Sequence, residues 1–307
     1  MGSAEGFDSI SLTSADGSTT AEFVPAANLL CCSLAYDGVE VLDGRQGVKA
    51  YAEQGKTMGV PLLYPWANRL ARFGYDAAGR QVTLSEDDPR LPRDSAGLPI
   101  HGVLPNLLRW EADQSGRPDA LTARLDWRSD DLLELFPFVH EVRCQATVGR
   151  AELTVTTTVS AVGEDRVPVS FGYHPYTRVP GAARDEWRIA LAASERLVLD
   201  DRSIPTGERA PLDRPRFTLA DRSLDDAFVP ASEPTAFEAA AADDRLTVEF
   251  LGGYGYAQVF APAGQEFICF EPMTAPTNAL NSGDGLTVVG PGDSYVARFR
   301  IGLAQGV

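Results

Sequence analysis

The chain has 307 residues, 44% of them hydrophobic and 23% charged, a composition that suits a soluble globular protein with a large core. Its formal net charge of −16 gives a surface that repels phosphate backbones and anionic headgroups, so neither nucleic acid nor membrane is expected as a partner. No stretch reaches the roughly 20 apolar residues of a membrane helix. The amino terminus, "MGSAEGFDSISL", lacks the basic region and apolar run of an export signal, so a cytoplasmic location is expected.

Along the chain, the first feature is a pair of cysteines, Cys31 and Cys32, which should point to opposite faces of a strand. With Cys144 and Cys269 they make four thiols in apolar surroundings, with no metal-ligand spacing and no disulfide framework. The expectation is four buried thiols in a reducing compartment and no bound metal. The segment "LLYPWANRLARFGYDAAGR", Leu62 to Arg80, sets Tyr64, Pro65 and Trp66 beside Asn68 and Arg69. An aromatic face next to an amide and a guanidinium suits a sugar, which has an apolar C–H face and hydroxyls at its edge. A surface turn with a packed Trp66 fits the same residues.

Next comes "GLPIHGVLPN", where His101 precedes a glycine that would permit close approach of a ligand; a satisfied core histidine is the alternative. Period-two alternation then marks strands over Ala120 to Trp127, His140 to Val148, Glu152 to Val162, Trp187 to Ala193, Arg245 to Gly252 and Ser294 to Leu303. The one convincing helical turn is "DDLLELFP", Asp130 to Pro137. His140 falls in regular alternation with no turn chemistry and reads as structural.

"SFGYHPY" places His174 between two tyrosines and before Pro175, at what reads as a strand end. Pro175 biases His174 towards an extended conformation, and Gly172 relaxes the backbone beside it. The stretch from Pro205 to Pro234 is rich in Pro, Arg and Asp and reads as a long loop crossing a sheet. Finally "FICFEPMTAPTNAL" ends a buried strand in Glu271, a carboxylate that is costly there unless paired or useful. Desolvation would raise its pKa into the range of a working base. Many short strands and few helices predict an all-β antiparallel sandwich, with residues 1–307 as a single domain.

The chain has no Gly-x-Ser-x-Gly elbow, Walker loop, dinucleotide fingerprint, His-x-x-x-His or Cys-x-x-Cys. Two histidines and one buried carboxylate therefore point to general acid–base chemistry with no cofactor.

Five segments, in order, resemble the aldose 1-epimerases, or mutarotases, of the galactose-mutarotase-like class: "NRLARFGYDAAGR", "HGVLPN…W", "FGYHPYTRVPG", "LDDAF" and "FEPMTAPTNAL". The resemblance implies a large antiparallel β-sandwich of the supersandwich type acting on a small aldose. It implies that Glu271 is the base and His174 the acid, about one sugar ring's width apart. Arg69 and His101 would bind ring and hydroxyl oxygens, Asp225 would accept hydroxyl hydrogen bonds, and Asn68 would join the binding shell. An adjacent carboxylate would favour the imidazolium of His174.

Two other readings carry through. One is an epimerase of hexose 6-phosphates, with Arg69, Arg72, Arg90 and Arg93 as a dianion clamp. The other is a sugar-binding or sugar-sensing sandwich without turnover. A monomer and a homodimer are both compatible with the sequence.

Overall fold

The computed structural model describes residues 2–114 and 116–304. Alternating strands dominate because alternation is what lets a strand bury one face and solvate the other. The strand His140–Gly149 buries His140, Val142, Cys144, Ala146 and Val148 and turns Glu141, Arg143, Gln145 and Thr147 outward. Ala120–Trp127 does the same with Leu121, Ala123, Leu125 and Trp127. Each large apolar side chain so buried stabilises the fold by about 1.5–3 kcal/mol.

These strands belong to a nine-stranded antiparallel sheet that runs from Arg216–Thr218 at one edge to Trp110–Asp113 at the other. Its centre is Asp244–Gly252, Ser294–Ala304 and Glu152–Ser160. A second, eight-stranded sheet packs against it, ordered from Pro205–Pro211 through Ala193–Leu199, Leu224–Pro230, Tyr256–Ala261, Ile268–Met273 and Gly172–Tyr173 to Leu62–Leu63, with Tyr176–Thr177 as the eighth strand, paired to Ile268–Met273. Phe237 of the first sheet meets Phe228 and Phe270 of the second, with centroids 6.4 and 5.9 Å apart. A five-stranded sheet from residues 2–40 adds a further layer.

Three sequence expectations change. The stretch from Pro205 to Pro234 is not a loop: it forms the strands Pro205–Pro211, Arg216–Thr218 and Leu224–Pro230. The first two are sheet-edge strands with mostly exposed side chains, so the hydrophobic period that reveals a strand is missing. A helix, Val48–Gln54, was not expected. It buries Val48, Tyr51 and Ala52, one face at helical spacing, and stops at Gly55 in the left-handed conformation. Of the four cysteines, Cys31, Cys144 and Cys269 are buried and Cys32 is half-buried; all are free thiols.

Candidate active site

The site lies on the outer face of the eight-stranded sheet, and strand register assembles it. In Ile268–Met273 every residue is buried, since one face enters the core through Phe270 and the other carries Cys269 and Glu271. Glu271 thus sits within the strand, not at its end. On the neighbouring strands Gln258 is paired with Glu271, and Ala227 with Gln258. On the other side Gly172 lies opposite Met273 and Tyr176 opposite Cys269. Between those two pairs the ladder is interrupted at His174 and Pro175, and residue 174 falls directly across from residue 271. One cross-strand row therefore reads Ala227, Gln258, Glu271, His174. The adjacent row reads Asp225, Phe260, Cys269, Tyr176. Asp226, one residue on, faces the other way and meets Arg196 at 3.2 Å.

Two glycines work differently from expectation. A Cβ at Gly102 would fall 1.9 Å from the Tyr64 carbonyl oxygen, so this glycine admits a neighbouring strand's backbone and not a ligand. At Gly172 a Cβ would meet the Met273 sulfur at 2.2 Å, so that glycine serves close strand packing beside Glu271.

The remaining wall comes from loops. Asn68 and His101 both adopt left-handed backbone conformations, with φ of 56° and 62°. Such a conformation costs roughly 1–2 kcal/mol for a residue with a Cβ. It is held by a reciprocal link: the His101 amide donates to the Asn68 carbonyl at 2.9 Å, and the Asn68 amide donates to His101 Nδ1 at 3.3 Å. Since Nδ1 accepts, the ring proton sits on Nε2, which makes that nitrogen a donor. Burial, and then Arg69, push the His101 imidazole down to about 3, so it stays neutral.

Arg69 donates through Nε to Asp94 at 2.7 Å and through Nη1 to Asn68 Oδ1 at 2.9 Å, and reaches Asp225 at 3.6 Å. Asp225 in turn accepts from Gln258 Nε2 at 2.6 Å. Thr57, Asn68, Arg69, His101, Asp225 and Gln258 are the polar wall of a cavity of about 180 Å³, with Ile100 and Phe260 as apolar surface and His174, Tyr176 and Glu271 inside.

His174 Nε2 lies 3.2 Å from Glu271 Oε1, with both side chains almost fully buried. The acid and base candidates are in contact, not a ring's width apart. The anomeric hydroxyl oxygen and the ring oxygen are both bonded to C1, so groups serving them have to converge on one carbon. Glu271 Oε2 and His174 Nδ1 have no hydrogen-bond partner among the described residues. The imidazole stacks on Tyr176 at 4.5 Å and 5°.

The expected imidazolium is not favoured by the buried setting of His174. Burial, followed by the nearby His101, pushes the His174 imidazole well below the ordinary value. Burial, followed by Asp225, raises the Glu271 carboxyl well above its own, and Arg69 opposes that rise. Desolvation thus opposes the charged pair and favours carboxylic acid and neutral imidazole. That neutral pair has the same proton count as carboxylate and imidazolium; the two forms differ by one proton moved across the contact.

Of the residues singled out in the sequence, Arg69, His101, Asp225, Asn68, His174 and Glu271 share this cavity. Trp66 does not. Its indole is 1% exposed, packs near Tyr75 in the core, and has no place in the cavity wall. Trp66 is the packed tryptophan of the two readings. Sequence reading passed over Gln258, Tyr176 and Thr57. A glutamine in the otherwise apolar "YAQVFA" was a usable signal for the first; nothing marked Thr57.

A twisted antiparallel supersandwich of this kind, with its cleft on the outer sheet face, is the galactose-mutarotase-like fold. The sequence model of the aldose 1-epimerase family matches residues 27–302, and the chain belongs to that family. It is 24% identical over 249 residues to the uncharacterized protein YihR of Escherichia coli K12, covering 78% of this chain and 77% of that one. In structure it resembles the Slr1438 protein of Synechocystis, with a TM-score of 0.80 at 23% identity over 100% and 99% of the two chains. It also resembles a galactose mutarotase-like protein of Clostridium acetobutylicum, with a TM-score of 0.82 at 18% identity over 94% of each.

Proposed function

We propose that the protein is an aldose 1-epimerase that interconverts the α and β anomers of an unphosphorylated aldose by cofactor-free proton transfer. The observation that carries this reading is the 3.2 Å contact between a buried carboxyl and a buried imidazole in a cavity of monosaccharide size. Opening a cyclic hemiacetal takes a proton from the hydroxyl on C1 and gives one to the ring oxygen. With a closed sugar bound, Glu271 as carboxylate accepts the first proton and His174 as imidazolium supplies the second. Arg69, which opposes the upward shift of Glu271, favours that charged form. The open chain is then held by carboxylic acid and neutral imidazole, the forms that burial prefers. Rotation about C1–C2 presents the other face of the aldehyde, and the same two transfers in reverse close the ring.

Around the sugar, His101 Nε2–H and the Arg69 guanidinium donate to oxygens, Asp225 accepts from hydroxyls, and Asn68 orients Arg69. Phe260 and Ile100 offer the apolar surface that Trp66 was expected to give. A binder without turnover would have no use for Glu271 and His174 in contact, since burying two titratable groups side by side costs stability.

The unphosphorylated substrate is supported by the arginines. Arg90 is engaged by Asp88 at 2.7 Å and Glu134 at 2.9 Å, Arg93 lies over Phe73, and Arg72 bonds Asn281. Only Arg69 of the four candidates lines the cavity.

Polarimetry on freshly dissolved α-glucose, α-galactose and glucose 6-phosphate, against a buffer blank, tests the proposal. Acceleration is expected for a free sugar, with a loss of about 10²–10⁴-fold in Glu271→Gln. Relaxation at the blank rate for every free aldose offered, or wild-type rates in Glu271→Gln, would overturn it; a preference for the phosphate would overturn the substrate class. The kcat/KM profile should be a broad bell. Its acid limb, where His174 takes up a second proton, lies below the usual histidine value of 6.5. Its alkaline limb, where the pair loses its shared proton, lies well above the usual 4.5 of a glutamate.

A further inference from the structure

Outside the cavity, the tight turn at residues 43–47 touches Tyr176. Its amide at Asp43 donates to the Tyr176 carbonyl at 2.9 Å, and Gly59 donates to the Asp43 carbonyl at 3.1 Å. The Asp43 carboxylate accepts from the Arg45 amide at 2.9 Å, and Arg45 sits in the left-handed region with φ of 41°. That conformation is unusual for a residue with a long side chain, and the turn is over-determined at this point. Arg45 is exposed, yet its guanidinium carbon lies over the Tyr176 ring, 5.1 Å from the centroid, and 4.8 Å from that of Phe267. The Tyr176 ring is the one stacked parallel on His174, and its hydroxyl is fixed to Thr57 Oγ1 at 2.6 Å.

We propose that Arg45 is a positioning residue for His174: through Tyr176 it holds the imidazole in the plane that meets Glu271. The proposal rests on the reading of His174 and Glu271 as an acid–base pair. Other charged or titratable groups also face the imidazole. Glu271 is in contact, and the ring of His101, which is neutral, stands 5.7 Å away edge-on. Arg69 and Asp225 approach each other at the cavity mouth. The Cys269 thiol, kept protonated by burial, lies beside Tyr176. Asp43 places a carboxylate in the turn itself, on the Arg45 amide. Among the described residues, Arg45 thus contributes the one cation that reaches His174 through an aromatic ring from the solvent side, where Arg69 acts from within the cavity. A cation stacked on an aromatic face is attracted to it even when exposed, which keeps the long side chain on the ring.

The test uses the whole protein with Arg45→Met, which keeps length without charge, and Arg45→Lys, which keeps charge without the planar stack. Two readouts are followed against pH: the His174 ring signal in NMR, assigned by its loss in His174→Phe, and kcat/KM by polarimetry. In Arg45→Met both titration steps of the pair should move up by about half a pH unit, and plateau kcat/KM should fall by about three- to tenfold as the imidazole loses its fixed plane. Raising the salt to 0.5 M should shrink that difference, because Arg45 is exposed. Arg45→Lys should restore most of the shift. Titrations that coincide in wild type and Arg45→Met, or a plateau kcat/KM in Arg45→Met equal to that of wild type, would overturn the proposal. The two readings separate cleanly. An NMR shift in a protein that does not accelerate mutarotation would keep the tuning and discard the aldose reading. Accelerated mutarotation with unmoved titrations would do the reverse.

Discussion

Two of the three histidines, His140 and His174, are buried and depressed by burial, yet their surroundings differ in kind. His140, 0% exposed, is saturated: Nδ1 donates to the Phe138 carbonyl at 2.6 Å, Nε2 accepts from the Tyr64 hydroxyl, and the ring stacks on Trp127 at 5.3 Å. His174 has Nδ1 unpartnered and Nε2 against a carboxyl that is itself incompletely bonded. Burial alone therefore does not mark a functional histidine. What marks it is burial without hydrogen-bond satisfaction, next to a second titratable group and open to a cavity.

Exchanging each ring for phenylalanine should break the likeness most sharply. His174→Phe is expected to lower kcat/KM by at least about 10²-fold, as loss of a general acid does, while chemical denaturation shows a change under about 1 kcal/mol. His140→Phe should do the opposite. It strands the Tyr64 hydroxyl and the Phe138 carbonyl, at about 1–3 kcal/mol each, and leaves the folded fraction's kcat/KM within about threefold. An active-site collapse in His140→Phe would show that the core histidine also supports the cavity.

The pH dependence of stability sharpens the same contrast. The ring at position 140 is pushed down to about 4 by burial, against 6.5 in the unfolded chain. Above pH 6.5 neither state binds the extra proton and the contribution is fully present. As pH falls, the unfolded chain takes the proton that the folded protein refuses, and on the order of 3 kcal/mol is lost by about pH 4. His101, at about 3, adds to this slope. Urea midpoints measured across that window should fall in wild type and fall less in His140→Phe.

Smaller effects are expected at the cavity rim. Gln258→Leu frees Asp225 from its 2.6 Å bond and should raise KM by about three- to tenfold with kcat nearly unchanged. Smallest of all, Trp66→Phe should leave KM within twofold, since the indole faces the core; a large rise in KM there would return Trp66 to the sugar.

Much of this was legible beforehand, for physical reasons that differ between residues. Strands such as Ala120–Trp127 declare themselves because one face is buried, and the structure reproduces that range. Pro205–Pro211 is invisible to the same reading because an edge strand with little to bury has no period. Val48–Gln54 could have been found from Val48, Tyr51, Ala52 and the closing Gly55. Glu271 and His174 stood out as polar groups in apolar strands. Their direct contact did not, because it depends on the pairing of Gly172 with Met273 and Tyr176 with Cys269 across about a hundred residues of chain. Trp66 kept two readings because sequence shows that an aromatic is present and not which way it points.

The cross-strand row of Ala227, Gln258, Glu271 and His174 carries a consequence for how this protein can change. Adding or removing one residue inside Ile268–Met273 would swing Glu271 into the hydrophobic interior and bring Phe270 to the sugar, so such a lesion is all-or-none. The connection from Pro262 to Phe267 can lengthen or shorten without disturbing that alternation. The proposed chemistry is thereby frozen into the pleat, while the loops around it remain free to be rewritten.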